Sequence, residues 1–144
     1  LTNAGKAIIA AATGPIKITS FKLGSAYGYI PQATDTNIHG TTIYEGIPSD
    51  PFVVNPNVVK YGAYLDYNLG PFDFGEIGYF VGNTLFALAA DDSLIHKSPL
   101  GAVDGGNSIR IDAFLSIVDT NYQMWLDAAE SNNQFRMAVL GSVD

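Results

Sequence analysis

Val59-Lys60-Tyr61-Gly62-Ala63-Tyr64-Leu65-Asp66-Tyr67-Asn68-Leu69 decides the fold. Val59, Tyr61, Ala63, Leu65, Tyr67 and Leu69 fall on one face. Lys60, Gly62, Tyr64, Asp66 and Asn68 fall on the other. A period of two sustained over this length predicts a half-buried strand. Residues 109–118 repeat the pattern, with Ile109, Ile111, Ala113, Leu115 and Ile117 opposite Arg110, Asp112 and Ser116. Residues 76–81 and 84–90 read as a hairpin around Gly82–Asn83, a two-residue turn that suits the twist of paired strands.

Working outward, Ile16 and Ile18 share a face, and Phe21 and Leu23 continue out of phase. A bulge near Thr19–Ser20 is therefore expected. Residues 24–40 read as a loop, and 41–57 as an irregular stretch broken by Pro48, Pro51 and Pro56. Asp91 to Asn107 is polar and Gly-rich and is expected to be loop. Asp119-Thr120-Asn121 reads as a turn, which favours a strand over 122–128. A helical reading of Tyr122, Trp125, Leu126 and Ala129 competes with it. Residues 131–142 fit strand or helix. Residues 1–14 predict a short helix, with Thr2 or Asn3 as N-cap and Ala4, Ala7, Ile8 and Ala11 at helical spacing. Gly14 is the expected left-handed stop, followed by Pro15. The expected class is α+β: a short N-terminal helix packed on a mostly antiparallel, β-sandwich-like sheet system, forming one domain over 1–144.

Composition sets the partner classes. The chain has 144 residues, Lys+Arg 7 and Asp+Glu 14, a net charge of -7, and 47% hydrophobic residues. That hydrophobic content argues against disorder. Seven cations on an acidic chain do not neutralise a phosphate backbone, so no nucleic-acid partner is expected. No apolar run approaches the roughly 18 residues that cross a bilayer, so no membrane insertion is expected. No basic start precedes a long apolar stretch, so no signal peptide is expected. Cysteine is absent, which removes disulfides, thiolate metal sites and Cys nucleophiles. Charged residues make up only 15% of the chain, against about 25% in ordinary soluble proteins. Part of the surface is therefore expected to be covered by a partner.

Several segments together resemble the N-terminal domain of phage tail-collar fibres. Leu1-Thr2-Asn3-Ala4-Gly5 opens a short helix. Ile16 to Gly24 runs into the loop Tyr27-Gly28-Tyr29-Ile30-Pro31. The most specific match is Glu76-Ile77-Gly78-Tyr79-Phe80, followed by a tight turn and the apolar strand Thr84 to Ala90. Ile109 to Val118 stands where the family has a closing strand. The resemblance covers most of residues 1–128. It departs at Pro71-Phe72-Asp73-Phe74-Gly75, which lacks the basic residue often found beside that Glu, and in the loop 91–107. The resemblance implies a virion structural protein of the tail or baseplate, made in the bacterial host cytoplasm. Its partners would be sister fibre chains, as a homotrimer, and tail baseplate proteins. It also implies a longer chain, with a shaft or connector after about residue 129.

Glu76 is the first candidate for chemistry, because it lies in an apolar stretch. A catalytic carboxylate with a raised pKa is one reading. The favoured one is structural: pairing with Arg110 or Lys60, or bonding to loop N–H groups. Glu76, Ile77, Gly78 and Arg110 are thus expected to form a structural motif. Asp35, Asn37 and His39 form one loose polar group, and Asp91, Asp92 and His96 another. Neither has the spacing of a zinc or calcium site, so no metal or other cofactor is expected. No Gly-x-Ser-x-Gly elbow or phosphate-binding glycine loop occurs, and no enzymatic activity is expected. Tyr27, Tyr29, Tyr44 and Tyr64 suit a surface role, since Tyr buries a large ring at an interface with little entropy lost. Trp125 suits the core or a subunit contact. Leu1, Thr2, Tyr27, Tyr29 and Tyr44 are the candidate partner contacts. A carbohydrate-binding module touching the host surface through aromatics at 25–45 is the alternative. A cell-wall hydrolase with two facing carboxylates is a third.

Overall fold

In the computed structural model, which describes residues 1–103, 105–130 and 138–139, these alternating segments build two antiparallel sheets. The described elements are α1 (Asn3–Ala11), β1 (Ser20–Gly24), β2 (Thr42–Gly46), β3 (Phe52–Asn55), β4 (Val58–Leu65), β5 (Phe72–Val81), β6 (Thr84–Lys97), β7 (Ile109–Val118), β8 (Asn121–Glu130) and β9 (Ala138–Val139). One sheet has the order β2-β1-β5-β6-β9 and the other β3-β4-β7-β8. The fold is a mostly-β α+β sandwich, with one short helix among the described residues.

The alternation read from the sequence sets the core. Tyr61, Ala63 and Leu65 of β4 and Ile109, Ile111, Ala113 and Leu115 of β7 are buried. They meet Phe21, Leu23, Phe74, Ile77, Tyr79 and Phe86 from the other sheet. A smaller cluster of Ile38, Phe80, Leu85 and Leu88 lies apart from it, with Tyr29 packed alongside. Ile77 and Phe80 thus serve different clusters, as alternation along β5 requires.

Bulges re-aim the side chains of β5 and β6. Phe74 pairs with Ile95 but Glu76 with Ala90, so residues 91–94 are taken up opposite Gly75 alone. Tyr79 pairs with Ala87 and Phe80 with Leu85, leaving Phe86 as the extra residue. The freed Phe86 carbonyl accepts the Thr2 N–H at 3.1 Å. The Thr2 hydroxyl donates to the Leu85 carbonyl at 2.6 Å and accepts the Gly5 N–H at 2.9 Å as the helix N-cap. Gly5 lies against the Phe86 carbonyl so closely that a Cβ would overlap it. Gly5, Ile8 and Ile9 face the protein, while Ala4, Ala7 and Ala11 face solvent. Of the residues expected at helical spacing, Ala4, Ala7 and Ala11 thus point away from the core, and Gly5 makes the close approach.

Other expectations change at the element ends. The helix stops at Ala12 in an extended conformation rather than at a left-handed Gly14. β1 starts at Ser20, so Ile16 and Ile18 lie outside the ladder, although Ile18 is still buried. The phase changes between Ile18 and Phe21 at the start of β1, where the Thr19 N–H donates to the Phe80 carbonyl at 2.9 Å, while the register shift in β1 lies between Leu23 and Gly24 rather than at Thr19–Ser20. β4 ends at Leu65, leaving Tyr67 exposed. The stretch 41–57 contains β2 and β3, because its prolines flank the strands rather than interrupt them. β6 continues through the expected loop as far as Lys97. Residues 122–128 are strand. Of 131–142, only Ala138–Val139 are described, as strand, and the rest lie outside the described residues. Among the described residues, no helix is long and apolar enough to cross a membrane.

Candidate functional site

Gly75 breaks the alternation of β5, and Glu76 emerges beneath the loop 25–40. Its side chain is fully buried. Oε1 accepts the Tyr29 hydroxyl at 2.6 Å and the His39 N–H at 2.8 Å. Oε2 accepts the Gly40 N–H at 2.7 Å and the Ala26 N–H at 3.0 Å. A carboxylate offers about four acceptor positions, and these four donors match them. Donors to an ionised carboxylate make stronger bonds than neutral pairs do, which offsets the cost of burying the charge. Of the three partners considered for Glu76, the loop N–H groups are the ones used.

Glycines make the space. A Cβ on Gly24 would overlap the Glu76 carboxylate, and one on Gly40 would lie 2.9 Å from Oε2. A Cβ on Gly78 would lie 2.8 Å from the Ile38 side chain, which the loop tucks against β5. Tyr29 stacks on His39 with ring centroids 3.8 Å apart and planes 10° from parallel. His39 Nε2 lies 3.2 Å from Asp35 Oδ2. Burial, then the hydrogen bond to Glu76, holds the Tyr29 phenol protonated far above its ordinary range. The loop is thereby fixed from below by one carboxylate, and it carries Tyr27 and Ile30 at 53% and 80% exposure.

The remaining predicted residues separate into distinct places. Arg110 lies on the other sheet, where Nη2 contacts Asp112 Oδ2 at 2.9 Å and Nε donates to the same carboxylate. It is not a partner of Glu76, which corrects the expected grouping of the two. Lys60 lies on the same sheet as Arg110, 5.3 Å over the Phe52 ring. Leu1 and Thr2 are buried against this chain's own sheet, so they do not offer a surface to a partner. Tyr44 is half-buried and stacks on Phe72 at 5.9 Å, so its ring is largely committed within the chain. Tyr29 is committed to Glu76. Tyr27 alone of the five proposed contacts is well exposed.

The two loose polar groups do not close into ligand sets. Asn37 accepts the Ile38 N–H, and His96 Nδ1 pairs with Asp73 across the strands at 2.6 Å. Among the described residues, no three His, Asp or Glu side chains converge as metal ligands would. Sequence reasoning missed the fully buried Lys97, whose Nζ donates to the Leu69 and Ser98 carbonyls. It also missed the Gly24–Gly40 enclosure. The signal for the enclosure was two glycines bracketing a polar loop, together with one Glu in an apolar strand. Compared with known proteins, the chain matches no described family, no curated protein and no solved structure.

Proposed function

We propose that this chain is a virion structural protein, the anchoring domain of a phage tail fibre. It attaches the fibre to the tail baseplate and so supports host adhesion. It works by binding rather than turnover, as a trimer with sister chains. The observation that carries this reading is the Glu76 node. Its carboxylate has all its acceptor capacity engaged by the loop 25–40, which makes it a fastening rather than a reactive group. What the fastening holds in place is a loop displaying Tyr27 and Ile30 to a partner. The likeness of Leu1–Gly5 and Glu76–Phe80 to the fibre family supports the same reading. Both motifs meet structural needs here, at the Phe86 carbonyl and under the loop.

Baseplate attachment and oligomeric state test it. Phage carrying Tyr27→Ala and Ile30→Ser are expected to assemble fewer fibres onto tails, while the purified variant chain keeps wild-type unfolding. Light scattering is expected to give a trimer. A stable folded monomer at micromolar concentration overturns the trimer. Full fibre occupancy in the double variant overturns the docking role of the loop.

A further inference from the structure

A second feature lies on the outer face of the β3-β4-β7-β8 sheet, remote from the Glu76 node. The register places Phe52, Lys60, Phe114 and Trp125 in one row across the four strands. The adjacent row is Gly62, Asp112 and Asp127, and beyond it Tyr64 pairs with Arg110. Phe114 and Trp125 stack at 5.5 Å with planes 11° apart. Phe52 and Tyr64 are 62% and 58% exposed. Between them runs a groove of about 380 Å³, within the range of small-molecule sites.

The groove is held rigidly. Ser49 donates its N–H to the Gly62 carbonyl at 2.8 Å, and its hydroxyl accepts the Gly62 N–H at 2.7 Å. This clasp fixes the segment before β3 as one wall. Gly62 leaves the floor without a side chain, and a Cβ there would meet Asp112 Oδ1 and Ser49 Oγ at an ordinary contact of 3.4 Å, so only a larger side chain would fill the groove. The Arg110 fork fixes Asp112 in turn and, being largely exposed, keeps further N–H donors at the surface. A site ordered before binding loses less entropy when a ligand arrives.

We infer that this groove binds a neutral saccharide. A pyranose has an apolar C–H face and a rim of hydroxyls. The exposed ring of Tyr64 suits the first, with Phe52, one face of which carries the Lys60 ammonium, at the other side of the groove. The N–H groups that Arg110 keeps beyond its pair with Asp112, and the Ser49 hydroxyl, suit the second, because they match the hydroxyls of the rim. A protein partner fits less well, since interface centres are depleted of charge and this face carries Lys60, Arg110, Asp112 and Asp127 centrally. The lining balances Asp50 and Asp112 against Lys60 and Arg110, which suits a neutral sugar, and Asp127 beyond Asp112 in the register and the net charge of -7 disfavour an acidic one. The inference does not depend on the fibre reading, and it moves the carbohydrate alternative from the 25–45 loops to a sheet face.

The test is an array of neutral hexose and N-acetylhexosamine oligosaccharides beside sialylated and uronate ones, probed with the whole chain. The best binder is then titrated calorimetrically. Neutral glycans are expected to bind. Tyr64→Ala and Phe52→Ala are each expected to weaken binding roughly tenfold. Gly62→Leu is expected to abolish it, and Tyr27→Ala to leave it unchanged. Urea unfolding shows whether each variant is folded. No neutral binder, binding of acidic glycans alone, or wild-type affinity in folded Tyr64→Ala and Gly62→Leu overturns the inference. So does a wild-type oligomer that Tyr64→Ala dissociates, because the face would then be occupied by a second copy.

Discussion

Tyr29 and His39 lie ring on ring, 3.8 Å apart, and both donate to the same oxygen of Glu76, one through its hydroxyl and the other through its backbone N–H. The two residues come from opposite ends of one loop. The carboxylate therefore closes that loop as well as holding it down.

Glu76→Gln tests this closure. The amide keeps the size but turns one acceptor oxygen into a donor facing two other donors. Two buried donors lose their acceptor at about 1–3 kcal/mol each, so a loss of about 2–6 kcal/mol is expected. Urea unfolding reads the loss, and hydrogen exchange at Ala26, His39 and Gly40 locates it. Wild-type stability with wild-type protection at those amides would remove the role assigned to Glu76.

Gly5→Ala sets helix propensity against packing. In an exposed helix the change is favourable by about 1 kcal/mol. Here the added methyl meets the Phe86 carbonyl, so the variant is expected to be less stable than wild type. Gly14→Ala, with nothing within 4 Å of the new carbon, is the control and is expected to be neutral or mildly stabilising. Thermal melts of the pair decide it, and a Gly5→Ala melting point at or above wild type would contradict the close approach.

Tyr79 and Tyr61 both point into the core with opposite hydroxyl fates. Among the described residues the Tyr79 hydroxyl has no hydrogen-bond partner, whereas Tyr61 donates to the Ile16 carbonyl at 2.6 Å. Tyr79→Phe is expected to be neutral or to stabilise by about 1 kcal/mol, and Tyr61→Phe to destabilise by about 1 kcal/mol. Chemical denaturation of both variants gives the two signs, and equal losses would refute the contrast.

Alkaline pH is expected to destabilise the fold. Burial pushes the Tyr61 phenol up to about 12 from its ordinary 10.0, and it pushes Tyr79 further. The unfolded phenols ionise first. Their stabilising contribution is therefore complete below pH 10 and lost as pH rises from there towards 12. Urea midpoints that stay level across that window would show these phenols to be solvated.

The legible parts of the fold were those where one periodicity acts alone. Tyr61, Ala63, Leu65 and Ile109 to Leu115 alternate without a break, and their burial follows. The sequence ends this strand at Ala90, because Asp91-Asp92-Ser93 looks like a loop. Those residues are taken up opposite Gly75, a two-strand relationship with no local signature. Glu76 was legible as structural, but not its donors. Its acceptor positions are filled from residues 36 to 50 positions away, and backbone N–H groups leave no mark on side-chain identity. Arg110 had the right charge for Glu76, but β7 belongs to the other sheet.

Three of the four donors to Glu76 are main-chain amides, at Ala26, His39 and Gly40. The mooring is therefore largely indifferent to the side chains it secures. With Gly24 and Gly40 kept, the outward residues of this loop are free to diverge under selection. A lineage could replace the outward side chains of the loop and leave the attachment beneath them intact, so divergence of this surface need not pass through unstable intermediates.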